Sequence, residues 1–205
     1  MSEELKQLYL KNSMIPNRYQ GQISLKAANC DYAAFDSLKE IEDNIETFIK
    51  SHKNLLLSSN MVGNGKTSWA IRLLKSFITN YAYKYAWKNE TPAVFISVPE
   101  YLSMKKRAIT NSDLEAEVNR LEDLIFNSKL VIFDDIATKT ASDYDKELLY
   151  VYINSRTNNL LTTIYTTNVT KEYLERILGA RVADRIIGYS EIIEFNGMSL
   201  RGVQF

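Results

Sequence analysis

A loop of small residues carries the strongest chemical signal in the sequence. Residues 60–67 (NMVGNGKT) differ from the phosphate-binding pattern G-x-x-x-x-G-K-[ST] only at Asn60, which replaces the first glycine. Asparagine is tolerable there because it adopts positive φ more readily than most residues. We expect Lys66 to be solvated in the empty site and to reach the β- and γ-phosphates of a nucleotide, and the Thr67 hydroxyl to ligate Mg²⁺. The expected nucleotide-binding residues are Asn60, Gly63, Asn64, Gly65, Lys66, Thr67 and Ser68.

Two carboxylates, Asp134 and Asp135, follow the apolar run Leu130–Phe133. A buried strand that ends in acids presents them at its carboxyl edge, where open α/β sheets bind ligands. We expect Asp134 to hold Mg²⁺ through water, and Asp135 to orient or deprotonate an attacking water. The alternative is an acidic turn or helix cap, which the nearby phosphate loop disfavours.

A third polar group, Asn168, lies at the polar tip of the next strand, which is expected to begin at Thr162. At the same sheet edge its amide could hydrogen-bond the γ-phosphate or the attacking water. Taken alone, it would be interpreted as a turn-forming asparagine. Together the loop, the acids and this amide predict ATP as the ligand, with Mg²⁺ and hydrolysis to ADP and phosphate.

Apolar periodicity predicts the elements that must position these residues. Strands are expected at 55–57, 93–98, 130–134, 162–166 and 191–195. Helices are expected at 3–11, 32–51, 66–87, 100–109, 113–126 and 144–155, with two short ones within 171–187. Alternating strands and helices predict an α/β fold with a five-stranded, doubly wound parallel sheet. We expect residues 1–50 to form a helical extension and 51–205 a single core without a separate lid domain.

Composition excludes several classes of protein. The 205 residues include 25 basic and 25 acidic side chains, so a polybasic mode of nucleic-acid capture is excluded. One cysteine and one histidine exclude a disulfide framework and a cysteine zinc cluster. No apolar run is long enough to span a bilayer, and the first residues lack a signal-peptide pattern. We therefore expect a cytoplasmic protein without a membrane partner.

Six short matches occur in the order found in AAA+ ATPases, and within them the sequence resembles the bacterial helicase-loader (DnaC) family. They are residues 15–19 (IPNRY), the phosphate loop, 133–136 (FDDI), 152–168 (YINSR leading into TIYTTN), 181–186 (RVADRI) and 195–201 (FNGMSLR). The resemblance implies a P-loop NTPase of the AAA+ type. The strand expected at 93–98, which intervenes along the chain between the phosphate loop and the acidic strand, narrows the P-loop class in the same direction.

The resemblance also implies roles for residues outside the loop. Asn168 would be sensor 1, and Arg185 an arginine finger that completes the site of a neighbouring subunit in a ring or spiral. Arg181 is the competing finger candidate, with Arg156 after it, and Arg201 would make a sensor-2-like contact. The open alternative is that Arg181 and Arg185 flank Asp184 in an exposed, salt-bridged helix face.

Family members contact single-stranded DNA through two helices between their second and third strands. The corresponding segment is 100–128, where Lys105, Lys106 and Arg107 follow Tyr101. Three cations beside an aromatic ring suit a phosphate track with a stacked base. An ordinary solvated helix face is the alternative, because acidic residues follow at Asp113, Glu115, Glu117, Glu122 and Asp123.

The resemblance therefore implies a DNA-replication ATPase that loads a hexameric replicative helicase of the DnaB type onto single-stranded DNA. Alternatives are an IstB-like transposase helper acting on duplex DNA, a small-molecule kinase, for which no arginine-rich lid is found, and a low-turnover helicase-binding regulator. Only about fifty residues precede the first core strand, fewer than is common in the family. Helicase docking is thus expected through residues 3–11 or another surface, in a short loader that would suit a phage or mobile element.

Overall fold

The sheet is the framework of the molecule. The structure, a computed structural model, describes residues 2–21, 32–85, 91–137 and 141–199. Its strands are β1 (Asn54–Ser58), β2 (Ala93–Ser97), β3 (Leu130–Asp134), β4 (Thr162–Thr167) and β5 (Ser190–Glu194). All the pairings are parallel and the spatial order is β2-β3-β4-β1-β5. This confirms the predicted five-stranded parallel sheet. Arg201 lies outside the described residues.

The helices agree with the predicted ones in type and differ at some ends. They are α1 (Glu3–Asn12), α2 (Tyr32–Asp43), α3 (Ile45–Lys50), α4 (Lys66–Tyr81), α5 (Val98–Ala108), α6 (Glu115–Asn127), α7 (Asp143–Asn158), α8 (Lys171–Leu178) and α9 (Ala180–Gly188). Among these described helices, none combines the length and the apolar character that crossing a membrane requires.

Two of the predicted helices were wrong in extent: one is divided into two helices, and one ends early. The helix expected at 32–51 is divided at Asn44, whose side chain donates to the carbonyl of Glu40 at 3.0 Å, while its own carbonyl accepts from Phe48 at 3.0 Å to begin α3. Asparagine competes in this way with helical hydrogen bonds. The helix expected at 66–87 ends at Tyr81 and continues as a 3₁₀ turn over Ala82–Lys84.

The strands bury side chains on both faces of the sheet. Leu55 and Leu57 of β1 pack with α1–α4, whereas Leu56 packs with α5–α9 on the opposite face. This alternation follows from the two-residue period of a strand. Helices therefore cover both faces, and the carboxyl ends of β1, β4 and β3 lie side by side at one edge. Because β4 lies between the other two, its last residues lie between the end of β1, which leads into the phosphate loop, and the end of the acidic strand β3.

Candidate functional site

The loop between β1 and α4 has the backbone of a phosphate-binding loop. Gly63 and Gly65 adopt φ of 78° and 99°, where a Cβ would be strained, so these two positions require glycine. Gly65 directly precedes Lys66, the first residue of α4, and the N-terminus of this 16-residue helix borders the loop. Asn60 does not adopt positive φ, so a preference for positive φ does not explain why asparagine is tolerated there. Its side chain is exposed and does not line the cleft, which corrects the expectation that it binds the nucleotide.

Lys66 is held by its own loop, which corrects the expectation that it is solvated. The residue is only 5% exposed. Its Nζ donates to the carbonyl of Met61 at 2.9 Å and to Asn64 Oδ1 at 3.0 Å. The buried Asn64 amide in turn donates to Ser59 Oγ at 2.8 Å. The ammonium therefore already lies at the loop, and it must share or release these contacts to bind a phosphate.

The acids meet the loop at the end of β3. Asp134 Oδ1 accepts hydrogen bonds from Thr67 Oγ1 at 2.8 Å and from Thr166 Oγ1 at 2.7 Å. Burial raises the pKa of Asp134, and the hydrogen bonds from Thr166 and Thr67 oppose that rise. Asp135 adopts φ of 55°, and its Oδ1 accepts from Asn168 Nδ2 at 2.6 Å. The structure thus brings together the predicted loop threonine, both acids and Asn168, which directly follows β4.

These residues line a cleft of about 280 Å³ together with Arg18 and Tyr19, to which the sequence assigned no role. The guanidinium of Arg18 lies 4.6 Å from the centre of the Tyr19 ring. Lys75 of α4 donates to the carbonyl of Tyr19 and, at 2.7 Å, to that of Gly21, which fixes this segment on the helix. Both residues belong to the motif at 15–19 that carries part of the resemblance, and this motif is the sequence signal that indicates them.

The donor set fits Mg²⁺ bound together with a nucleotide. Thr67 and Asp134 supply a hydroxyl and a carboxylate, and Mg²⁺ at nucleotide sites takes one or two carboxylates plus phosphate oxygens and water. Within the described ranges there is no group of three or more His, Cys, Asp or Glu that could hold a metal by itself. The site therefore suits a metal that arrives with phosphate.

The finger candidates Arg181 and Arg185 lie on α9, outside the cleft. The guanidinium of Arg181 lies 4.0 Å from the ring centre of Tyr150, while Arg185 donates to the Tyr189 hydroxyl at 3.3 Å. The hydrogen bond from Arg181 lowers the pKa of Tyr150. Among the described ion pairs neither arginine pairs with Asp184; Arg181 instead lies 3.6 Å from Glu147. The alternative of a salt-bridged face built on Asp184 is therefore not what the structure contains.

Arg156 is excluded as a finger by its position. It is fully buried, and its guanidinium donates to Thr163 Oγ1 and to the carbonyls of Ile125, Ser128 and Thr162 at 2.6–2.9 Å. Burial lowers its pKa to about 9. These contacts join α6, α7 and the start of β4, at the sheet edge opposite the cleft. Arg156 is a structural residue that no neighbouring subunit can reach.

Three of the four expected DNA-binding residues already contact other residues of the protein. Tyr101 is 4% exposed, and its hydroxyl lies 2.6 Å from that of Tyr152, so its ring is not available to stack on a base. Lys105 pairs with Glu122 at 2.8 Å, and Lys106 with Asp145 at 2.7 Å. Arg107 is exposed, and it has no ion-pair partner among the residues that the structure describes. Burial explains the correction for Tyr101: it lies on the apolar face of α5.

Comparison with known proteins finds related replication factors. The chain is 28% identical over 165 residues to the replicative helicase loader DnaC of Escherichia coli (strain K12), matching 80% of this chain and 60% of that protein. It thus spans less than two thirds of that relative's length. No protein-family model matches.

Two solved structures show the same fold. A crystal structure of the DnaC helicase loader has a TM-score of 0.65 and 21% identity, covering 95% of this chain and all of that one. A structure of the replication initiator DnaA bound to AMPPCP and single-stranded DNA has a TM-score of 0.59 and 15% identity, covering 89% and 51%. The predicted P-loop AAA+ fold and the resemblance to DnaC-type loaders are confirmed.

Proposed function

We propose, from the resemblance to DnaC-type helicase loaders, that this chain binds and hydrolyses ATP and loads a hexameric replicative helicase of the DnaB type onto single-stranded DNA. The observation that carries the proposal is the single cleft in which Lys66 and Thr67 meet Asp134, Asp135 and Asn168. Packing alone gives no reason for groups that would bind phosphate and groups that would activate water to meet in one cleft. The alternative of a transposase helper gains no support from the relatives found.

Different residues of the cleft would take the separate roles that phosphoryl transfer requires. The loop and Lys66 would bind the phosphates, and Thr67 and Asp134 would hold Mg²⁺, which when bound neutralises charge on the transferred group. Asp135 is oriented by Asn168 at 2.6 Å through one carboxylate oxygen. Its other oxygen would accept the proton of the attacking water. Arg18, which also lines the cleft, would add a positive charge near the phosphates.

Hydrolysis would require assembly, because neither finger candidate reaches the cleft of its own subunit. Arg185 of one subunit would complete the site of the next in a ring or spiral, with Arg181 as the competing candidate. A guanidinium at that position neutralises charge that develops on the phosphoryl oxygens in the transition state. On α5, Arg107 is the member of the basic triplet best placed to contact single-stranded DNA.

The test is size-exclusion chromatography of the chain with a cognate DnaB-type helicase, with and without ATP. We expect co-elution that depends on nucleotide, together with ATP hydrolysis that single-stranded DNA stimulates. Lys66→Ala should remove both the nucleotide dependence and hydrolysis. Lys53→Ala is the matched control, since Lys53 is an exposed lysine just before β1, at the other edge of the sheet.

Failure to co-elute in any nucleotide state would refute the loader function and leave the ATPase standing. Unchanged nucleotide affinity in Lys66→Ala, measured with a fluorescent analogue, would refute the nucleotide site itself.

A further inference from the structure

The hydroxyl of Thr166 lies between the two acids of the cleft. The residue is 1% exposed, near the end of β4. Its Oγ1 is 2.7 Å from Asp134 Oδ1 and accepts the N–H of Asp135 at 3.0 Å. A threonine hydroxyl has one proton. Because the amide must donate to the oxygen, that proton is directed to Asp134, and the hydroxyl has a single orientation that satisfies both acids.

The main chain of Thr166 adds a third contact to the same turn. Its carbonyl accepts the N–H of Ile136 at 3.0 Å. Regular pairing of β3 with β4 extends to Phe133 and Tyr165, so these contacts continue the connection beyond the ladder. Between them Asp135 has φ of 55°, a conformation that is costly for a residue with a Cβ. The turn that presents Asp135 is therefore held from β4, chiefly by one residue.

We propose that Thr166 is a positioning residue that fixes both acids for the nucleotide chemistry. The proposal rests on the proposed function, and it assigns a role to a residue that lies outside the phosphate-loop and acidic motifs. Two hydroxyls, from Thr67 and Thr166, donate to the same oxygen of Asp134. Removal of the Thr166 hydroxyl leaves that oxygen with a single donor and leaves the Asp135 amide without an acceptor.

Amide hydrogen exchange of the nucleotide-free protein tests the positioning directly. Thr166→Val keeps the side-chain volume and removes both hydroxyl contacts. Exchange at the Asp135 amide should accelerate roughly tenfold or more, since a buried donor loses its acceptor. The Ile136 amide, which bonds to the retained carbonyl, should change much less. Thr166→Ser should resemble the parent protein, and Thr166→Ala provides a second variant without the hydroxyl if the valine does not fold.

Thr167→Val is the matched control, because it removes a second buried hydroxyl from the same end of β4. The Thr167 hydroxyl accepts from the Val169 amide and contacts neither acid. This variant should leave the Asp135 amide unchanged. Equal exchange at Asp135 in the parent and in both Thr166 variants that lack the hydroxyl would overturn the proposal.

A second measurement separates this proposal from the proposed function. ADP affinity is compared with Mg²⁺ and with EDTA. In Thr166→Val the Mg²⁺-dependent gain should fall roughly tenfold, while affinity in EDTA stays at the parent value. A gain equal to that of the parent would overturn the role of Thr166 in the nucleotide chemistry. If the parent binds no ADP under either condition, the proposed function fails, and the exchange data alone decide whether Thr166 holds the turn.

Discussion

The basic triplet of α5 offers a quantitative test of how the chain would contact single-stranded DNA. Each phosphate contact that is lost reduces the slope of log affinity against log salt by about 0.7 on a single strand. If Lys105, Lys106 and Arg107 all contacted phosphate, replacing the three by alanine would lower the slope by about two. The sequence alone predicts this larger value.

The structure predicts a smaller effect. Lys105 is bound to Glu122, whose Oε1 also accepts from Tyr101, and Lys106 is bound to Asp145, which is itself buried. If either lysine leaves, its carboxylate loses its only cationic partner among the described ion pairs and keeps hydroxyl or amide donors alone. Arg107 alone is then available, so the triple variant and Arg107→Ala should show the same loss, about 0.7 in slope.

Fluorescence anisotropy with a labelled oligonucleotide between about 50 and 200 mM salt measures both slopes. Lys53→Ala controls for the loss of one positive charge elsewhere, and thermal melting confirms that each variant is folded. A loss of about two for the triple variant, with about 0.7 for Arg107→Ala, would show that the lysines leave their partners to bind DNA. An unchanged slope in every variant would show that α5 does not contact the strand.

Three further predictions concern assembly, the buried arginine and acid stability. Asp135→Asn and Arg185→Ala should each bind ATP without hydrolysing it. A mixture of the two should regain ATPase activity, because some junctions then combine an intact Asp135 with an intact Arg185, and a finger contributes about three to five decades of rate. If mixed oligomers form without regaining activity, Arg185 is not the finger and Arg181 is tested in the same way. Arg156→Met should lower the free energy of unfolding in urea by about 3 kcal/mol or more, because three buried carbonyls lose their donor; a loss below about 1 kcal/mol would contradict this. Burial acts to raise the pKa of Asp145, but hydrogen bonds from Lys106 and Ser142 outweigh it and leave that pKa lowered. The stabilisation that the Asp145 carboxylate contributes is therefore present above the unfolded pKa of 3.8 and is lost as the pH falls through the folded pKa. The Tm of Asp145→Asn should therefore fall less steeply than that of the parent below about pH 4.

Local patterns were sufficient to predict the elements and most of the candidate site. Gly63 and Gly65 could be assigned because the phosphate-loop pattern needs small residues where backbone N–H groups surround phosphate oxygens. Asp134 and Asp135 could be assigned because the apolar run before them defines a strand and therefore its carboxyl end. These inferences depend on neighbours in the chain, which a sequence displays directly.

Tertiary structure decided how those elements meet and which side chains are available. Nothing local indicates that β4 lies between β1 and β3, and this order is what places Thr166 against both acids. The partners of Lys105, Lys106 and Arg156 come from other elements, so their pairing could not be deduced from spacing. Their availability depends on groups brought together by folding, because burial and ion pairing are properties of the folded neighbourhood, whereas periodicity is a property of the chain.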